Sequence, residues 1–315
     1  MSTSDKFPPL AEPVDERYAG FVDGAPGSLS TEPAAPPSRV ETSSEKIGAR
    51  LIEVGLAVAT WIASIILLLV MSLVFVIPYA FREMGMNQEA LRQFLLTDKT
   101  AIFLQILSTI PAHLLTLGVI WVVVTRFGKR PFWSTLGWGW SRNFNFWTSA
   151  ALGIALLALG YFITYKFHGG ETQVDKIISS SPAARYTTAF LATFTAPLVE
   201  EMVYRGVLYS ALQKLIGMLW AVVGVMLLFT LIHVPQYWPN YGVIAVIGIL
   251  SLSLTVVRAY TGRLLPCFII HLVFNGISSI LIILEPYFPH LNSGGEQKAE
   301  SFIIIMLARI ARLSL

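Results

Sequence analysis

From Leu51 onward the chain is written in apolar runs about as long as a bilayer is thick. A helix rises about 1.5 Å per residue, so roughly 20 apolar residues cross a hydrocarbon core of about 30 Å. Seven stretches meet that requirement: residues 54–78, 101–125, 147–167, 186–213, 217–235, 241–260 and 264–285. A weaker eighth, residues 300–315, is short and carries Arg309 and Arg312, so it is expected to span in part or to lie at the interface. Composition agrees, since only 13% of the 315 residues are charged, against about 25% in soluble domains. The expected fold is therefore all-α, a polytopic transmembrane helical bundle of about eight spans.

Ahead of the first run, residues 1–47 read as a Pro-rich, acidic, disordered cytoplasmic tail. Seven prolines between Pro8 and Pro37 stand there among Ser, Thr, Glu and Ala, and such a segment cannot bury enough apolar surface to offset its chain entropy. It has no apolar core of the kind a secretory signal carries. Residues 48–315 form the expected transmembrane domain. A net charge of +3 does not suggest nucleic acid, and the single cysteine, Cys267, lies in an apolar run and reads as a small core residue.

Charge placement orients the chain. Arg126, Lys129, Arg130 and Arg142 separate the second and third runs, Lys214 follows the fourth, Arg258 and Arg263 follow the sixth, and Arg309 and Arg312 close the chain. Loops rich in Lys and Arg stay inside. All these positions share one side if both termini are cytoplasmic. Residues 87–100 place Leu91, Phe94 and Leu95 at helical spacing among polar residues, which predicts an interfacial helix on the opposite face.

Ionisable residues inside spans are costly, and therefore functional candidates. The fourth run contains Glu200, Glu201 and Arg205. Glu201 and Arg205 are four apart and share a helix face, so they can pair, whereas Glu200 is rotated about 100° away. A carboxylate without an ion-pair partner in a low-dielectric setting suits general-base work near neutrality. On the fifth run Phe229 precedes His233 by one turn, and Pro235 is expected to end that helix beside the imidazole. On the seventh run His271 and Asn275 share a face. They can donate to a developing oxyanion or serve as polar glue between helices. His113, mid-span after Pro111, is expected to hydrogen-bond a neighbouring helix, while His168 and His290 fall in outer loops.

The order E-E-x-x-x-R, F-x-x-x-H, H-x-x-x-N over three runs resembles the CPBP family of intramembrane proteases. That family, formerly called the abortive-infection family, includes the eukaryotic CAAX prenyl endopeptidase and bacterial proteins linked to bacteriocin processing. The resemblance covers residues 182–284, the expected protease core, and no motif position departs from the pattern. It implies an intramembrane endopeptidase in which Glu200 activates water and His233 helps hold it. His271 and Asn275 would then stabilise the oxyanion, with Glu201 and Arg205 supporting them. The substrate implied is a peptide or protein in or at the lipid bilayer, prenylated in the eukaryotic case. A bacterial plasma membrane follows only from the family's bacterial breadth.

The family has also been read as metalloproteases. A zinc site could be built from His233, His271 and Glu200, although no H-E-x-x-H helix is present. Two other classes fit parts of the pattern: a non-catalytic scaffold or immunity protein, and a proton-coupled transporter, against which the lack of an internal repeat argues. One tension stands. Counting along the runs puts Glu200 and His271 about 10 Å from the cytoplasmic surface and His233 nearer 20 Å.

Overall fold

The computed structural model describes residues 43–84, 88–167 and 169–287. The tail before Ser43, the eighth run, His168 and His290 lie outside these residues. Every regular element among them is helical. In chain order they are α1 (Ser43–Met84), α2 (Gln88–Thr97), α3 (Lys99–Thr125), α4 (Phe132–Leu136), α5 (Phe146–Lys166), α6 (Gln173–Ser180) and α7 (Pro182–Phe190). There follow α8 (Ala196–Glu200), set between two π-helical stretches, then α9 (Tyr209–Tyr237), α10 (Tyr241–Thr261) and α11 (Leu265–Leu284). A helix is present within residues 87–100, as α2. Two expectations shift: α1 starts at Ser43, inside the segment assigned to the tail, and α9 runs through Pro235 to Tyr237.

Among the described residues, six helical elements are long and apolar enough to cross a membrane: Ser43–Glu83, Lys99–Thr125, Phe146–Lys166, Pro182–Tyr237, Tyr241–Thr261 and Leu265–Tyr287. The chain is built as a multi-pass membrane protein. The fourth element accounts for the difference from the seven runs expected. It has 56 residues, and a straight helix of that length would measure on the order of 80 Å, more than twice the hydrocarbon core. It is not straight. Gly217 adopts φ 82° and ψ 169°, a conformation open in practice only to a residue without Cβ. Tyr204 and Phe229 lie on either side of it, yet their ring centroids are 5.0 Å apart. The element is a helical hairpin, and its arms are the fourth and fifth runs.

Local chemistry sets the helix starts. Asp98 caps α3 by accepting from the Ala101 N–H at 2.8 Å. Asn145 and Thr148 form a reciprocal capping box on α5. Ser181 caps α7, whose first residue is Pro182, where the missing N–H costs nothing. Within the bundle α1 packs on α3, α9 on α10, and α5 on α11. The α5–α11 approach is close, for a Cβ built on Gly153 would stand 2.9 Å from the Ile270 carbonyl oxygen. Small residues allow such backbone proximity where lipid leaves no hydrophobic drive between helices.

The shared-side assignment of two basic positions holds. Glu53 of α1 receives Lys214 Nζ at 2.9 Å and an Arg126 Nη at 3.2 Å, which gathers three separate segments at one end of the bundle. Arg258 departs from its expected role as a loop charge. It is buried on α10, donating to Gly262 O at 2.8 Å and to Ser210 Oγ at 3.2 Å. Its guanidinium supplies donors to a helix end that would otherwise leave backbone oxygen unsatisfied.

Candidate active site

The first arm of the hairpin changes pitch at the motif. α8 is flanked by the π-helical stretches Leu191–Thr195 and Glu201–Leu208. Pro197, lacking an N–H, sits inside this region. Single wide turns of this kind break the regular ladder and recur at functional sites. Glu200 is the last α-helical residue before the second stretch and Glu201 the first within it.

Glu201 and Arg205 pair as their spacing predicted, Nη1 to Oε1 at 3.1 Å, with both side chains fully buried. The donors at Nε and Nη2 are met by α10. Nε reaches Thr255 Oγ1 at 3.2 Å, and Nη2 reaches Ser251 O at 3.0 Å and Ser251 Oγ at 2.9 Å. Phe229 lies beneath the guanidinium, 4.8 Å from ring centroid to Cζ, a cation–π contact across the hairpin. Burying two ions costs several kcal/mol each, so such a pair persists only with this degree of hydrogen bonding. Glu201 Oε1 also receives His271 Nδ1 at 2.8 Å, while Glu201 Oε2 is buried with no hydrogen-bond partner.

Glu200 has a different setting. Its side chain is 23% exposed, with Oε1 3.9 Å from His233 Nε2 and Oε2 3.8 Å from His271 Nε2. Both separations are too long for a direct hydrogen bond and short enough for one water to reach both groups. The other nitrogens fix the ring orientations. His233 Nδ1 lies 2.7 Å from Phe229 O, and a carbonyl only accepts, so Nδ1 carries the proton. His271 Nδ1 faces the Arg205-paired carboxylate of Glu201, which also acts as acceptor. In neutral form each imidazole therefore turns an Nε2 lone pair toward Glu200.

The hairpin removes the expected difference in depth. Glu200 is 17 residues before Gly217 and His233 is 16 after it, so antiparallel arms bring them level. Counting each run inward from its own sequence boundary had hidden this symmetry. α11 joins them because its N-terminus starts part-way along the hairpin: Leu264 Cδ2 is 3.5 Å from the Cβ position of Gly206.

Five of the six sequence candidates thus converge: Glu200, Glu201, Arg205, His233 and His271. Asn275, one turn along α11, instead donates from Nδ2 to Ala192 O at 2.9 Å, engaging the first π-helical stretch. His113 bonds a neighbouring helix as expected, Nδ1 to Thr195 Oγ1 at 3.0 Å. Sequence reasoning overlooked Ser251 and Thr255, whose i, i+4 spacing in an apolar run was the available signal. It also overlooked Trp61, which donates from Nε1 to Tyr204 Oη at 2.8 Å and ties α1 to the motif helix.

The three residues named for a zinc site, Glu200, His233 and His271, meet at one place. Among the described residues no group of three or more His, Cys, Asp or Glu side chains is arranged to hold a metal ion. With zinc–ligand bonds of about 2.0–2.2 Å, neighbouring donors on a tetrahedral ion stand roughly 3.3–3.5 Å apart, about half an ångström less than the 3.8 and 3.9 Å between Glu200 and the two imidazoles.

Residues 182–277, just under a third of the chain, match the family described as Type II CAAX prenyl endopeptidase Rce1-like. The matched stretch begins at the first residue of α7 and ends within α11, so it contains all six candidate residues. No curated protein and no solved structure matches the chain.

Proposed function

We propose that this protein is an intramembrane endopeptidase that hydrolyses a membrane-associated peptide or protein with water activated by Glu200. The observation that carries the reading is the division between adjacent carboxylates. Glu201 is consumed by Arg205 and His271, while Glu200 stands partly exposed between two Nε2 atoms at 3.9 and 3.8 Å. The family match over residues 182–277 supports a peptidase acting on a membrane-associated substrate.

Water held between Glu200 and His233 donates one hydrogen to the carboxylate and one to the Nε2 lone pair. Its oxygen lone pairs then face outward, toward a scissile carbonyl. Attack forms the new C–O bond as Glu200 takes the proton, and the carbonyl oxygen becomes an oxyanion. His271, when protonated at both nitrogens, donates from Nε2 to that oxyanion while Nδ1 stays on Glu201. Asn275 has a second N–H beyond the one given to Ala192, and supplies the other donor. Preorganised donors of this kind act where charge develops in the transition state. Collapse of the intermediate breaks the C–N bond, and Glu200 returns its proton to the leaving amine.

The test uses purified protein incubated with a membrane proteome, followed by mass spectrometry of new peptide ends. Wild type, Glu200→Gln and His233→Ala run in parallel, each with and without a chelator. New ends confined to wild type support glutamate-driven hydrolysis, and their loss on chelation transfers the chemistry to a metal. Identical ends from wild type and a folded Glu200→Gln protein overturn the proposal.

A further inference from the structure

Phe229, His233 and Tyr237 follow one another along α9 at four-residue spacing, so they share one face of the helix. Phe229 lies beneath Arg205 and His233 faces Glu200, which leaves Tyr237 without a role. A proline at position 235 would ordinarily stop the helix short of it. Here the Trp238 N–H still reaches Val234 O at 2.9 Å, and helical register holds to Tyr237. Its phenol ring stacks on the imidazole of His233, with centroids 6.5 Å apart and planes 27° from parallel.

Aromatic residues at helix ends commonly mark the membrane interface. Trp238 and Tyr241 suit that role, being 55% and 64% exposed and packed edge-on against each other. Tyr237 is instead partly buried beside His233. The acidic groups whose charges act on its hydroxyl are Glu200 first and then Asp175. Asp175 is already engaged as part of the capping box of α6, accepting from the Thr172 N–H at 2.8 Å and from Thr172 Oγ1 at 2.6 Å. Among the described residues the Tyr237 hydroxyl has no hydrogen-bond partner.

A phenol is a hydrogen-bond donor at neutral pH. Within the peptidase reading, on which this inference rests, the reacting atoms are already served: the water by Glu200 and His233, the oxyanion by His271 and Asn275. The substrate main chain flanking the scissile bond still needs a partner. An extended chain advances about 3.3 Å per residue. Two residues therefore cover the 6.5 Å that separates the imidazole from the phenol.

We propose that the Tyr237 hydroxyl donates a hydrogen bond to a substrate main-chain carbonyl two residues from the scissile one, holding that stretch extended along α9. Such a contact reads backbone and not side chains, so it anchors substrates of different sequence alike. It also requires the substrate to be unwound there. A helix would advance only about 3 Å over two residues, and its carbonyls would already be bonded within it.

The test uses a synthetic peptide spanning a site that the wild-type protein cleaves in the membrane proteome, with full-length wild type and Tyr237→Phe in detergent. Tyr237→Phe keeps the ring and its stacking. It is expected to raise KM roughly 3- to 10-fold, the worth of one neutral hydrogen bond. The contact is made equally in ground and transition states, so kcat and melting temperature should barely change. Two further peptides carry a thioamide, a weaker acceptor, two residues before or two residues after the scissile carbonyl. One of them should bind wild type more weakly by a similar factor and show no added loss with Tyr237→Phe, because the same hydrogen bond is already gone. Equal kinetics of wild type and Tyr237→Phe overturn the inference. So do thioamide and Tyr237→Phe effects that simply multiply, which would make Tyr237 structural. If wild type cleaves nothing, the peptidase reading itself fails, and this contact with it.

Discussion

Glu200 and Glu201 are adjacent in the chain, yet Glu201 is fully buried against Arg205 at 3.1 Å while the Glu200 side chain keeps 23% of its surface exposed. A helix rotates by about 100° per residue, so neighbours face different surroundings. Here one surrounding is the polar cradle of α10 and the other is the gap between two imidazoles. The two carboxylates should therefore fail in different ways when altered.

Replacing Glu200 with Gln keeps the shape and removes the base. Cleavage is expected to fall by about 10²–10⁴-fold, the usual worth of a positioned general base. Melting temperature in detergent should stay within a degree or two of wild type, because no buried ion pair is broken. A large loss of stability would place Glu200 in the structural network instead.

Arg205→Met should do the reverse. It strands the fully buried Glu201 carboxylate, and breaking one partner of a buried pair costs about 3–5 kcal/mol. A marked drop in melting temperature is expected. The double variant Arg205→Met with Glu201→Gln should recover part of it, since no charge is then left alone. Equal melting of the single and double variants would show that the pair is not the source of the loss.

Gly217→Ala tests the hairpin turn. Nothing lies within 4 Å of the added Cβ, so any cost comes from the backbone alone. At φ 82° and ψ 169° a residue with a side chain costs about 1–3 kcal/mol. Chemical or thermal unfolding in detergent should show that loss.

Gly153→Ala probes the support of His271 from a distance. The new methyl would sit 2.9 Å from the Ile270 backbone oxygen, so α5 and α11 must separate. Overpacking of this kind costs about 1–3 kcal/mol. Because Ile270 precedes His271, cleavage should decline along with stability. Gly118→Ala, inside α3 with nothing within 4 Å, serves as the control that should leave cleavage unchanged and lower no stability, since Ala is the better helix former.

The apolar runs determined the all-helical, multi-pass architecture by themselves, because a 20-residue run without charges has few other fates. Spacing alone also paired Glu201 with Arg205 and set Glu200 apart, since four residues bring side chains together within one helix whatever surrounds it. What spacing could not supply was depth and partnership between helices. The level placement of Glu200 and His233 depends on where the chain reverses, and one glycine with a left-handed φ decides that. Ser251 and Thr255 became the cradle of Arg205 because α10 packs against the hairpin, and the closeness of α11 to α5 depends on Gly153. Such contacts join residues on separate spans. Local periodicity carries no information about them, and only the packed bundle decides which polar groups meet.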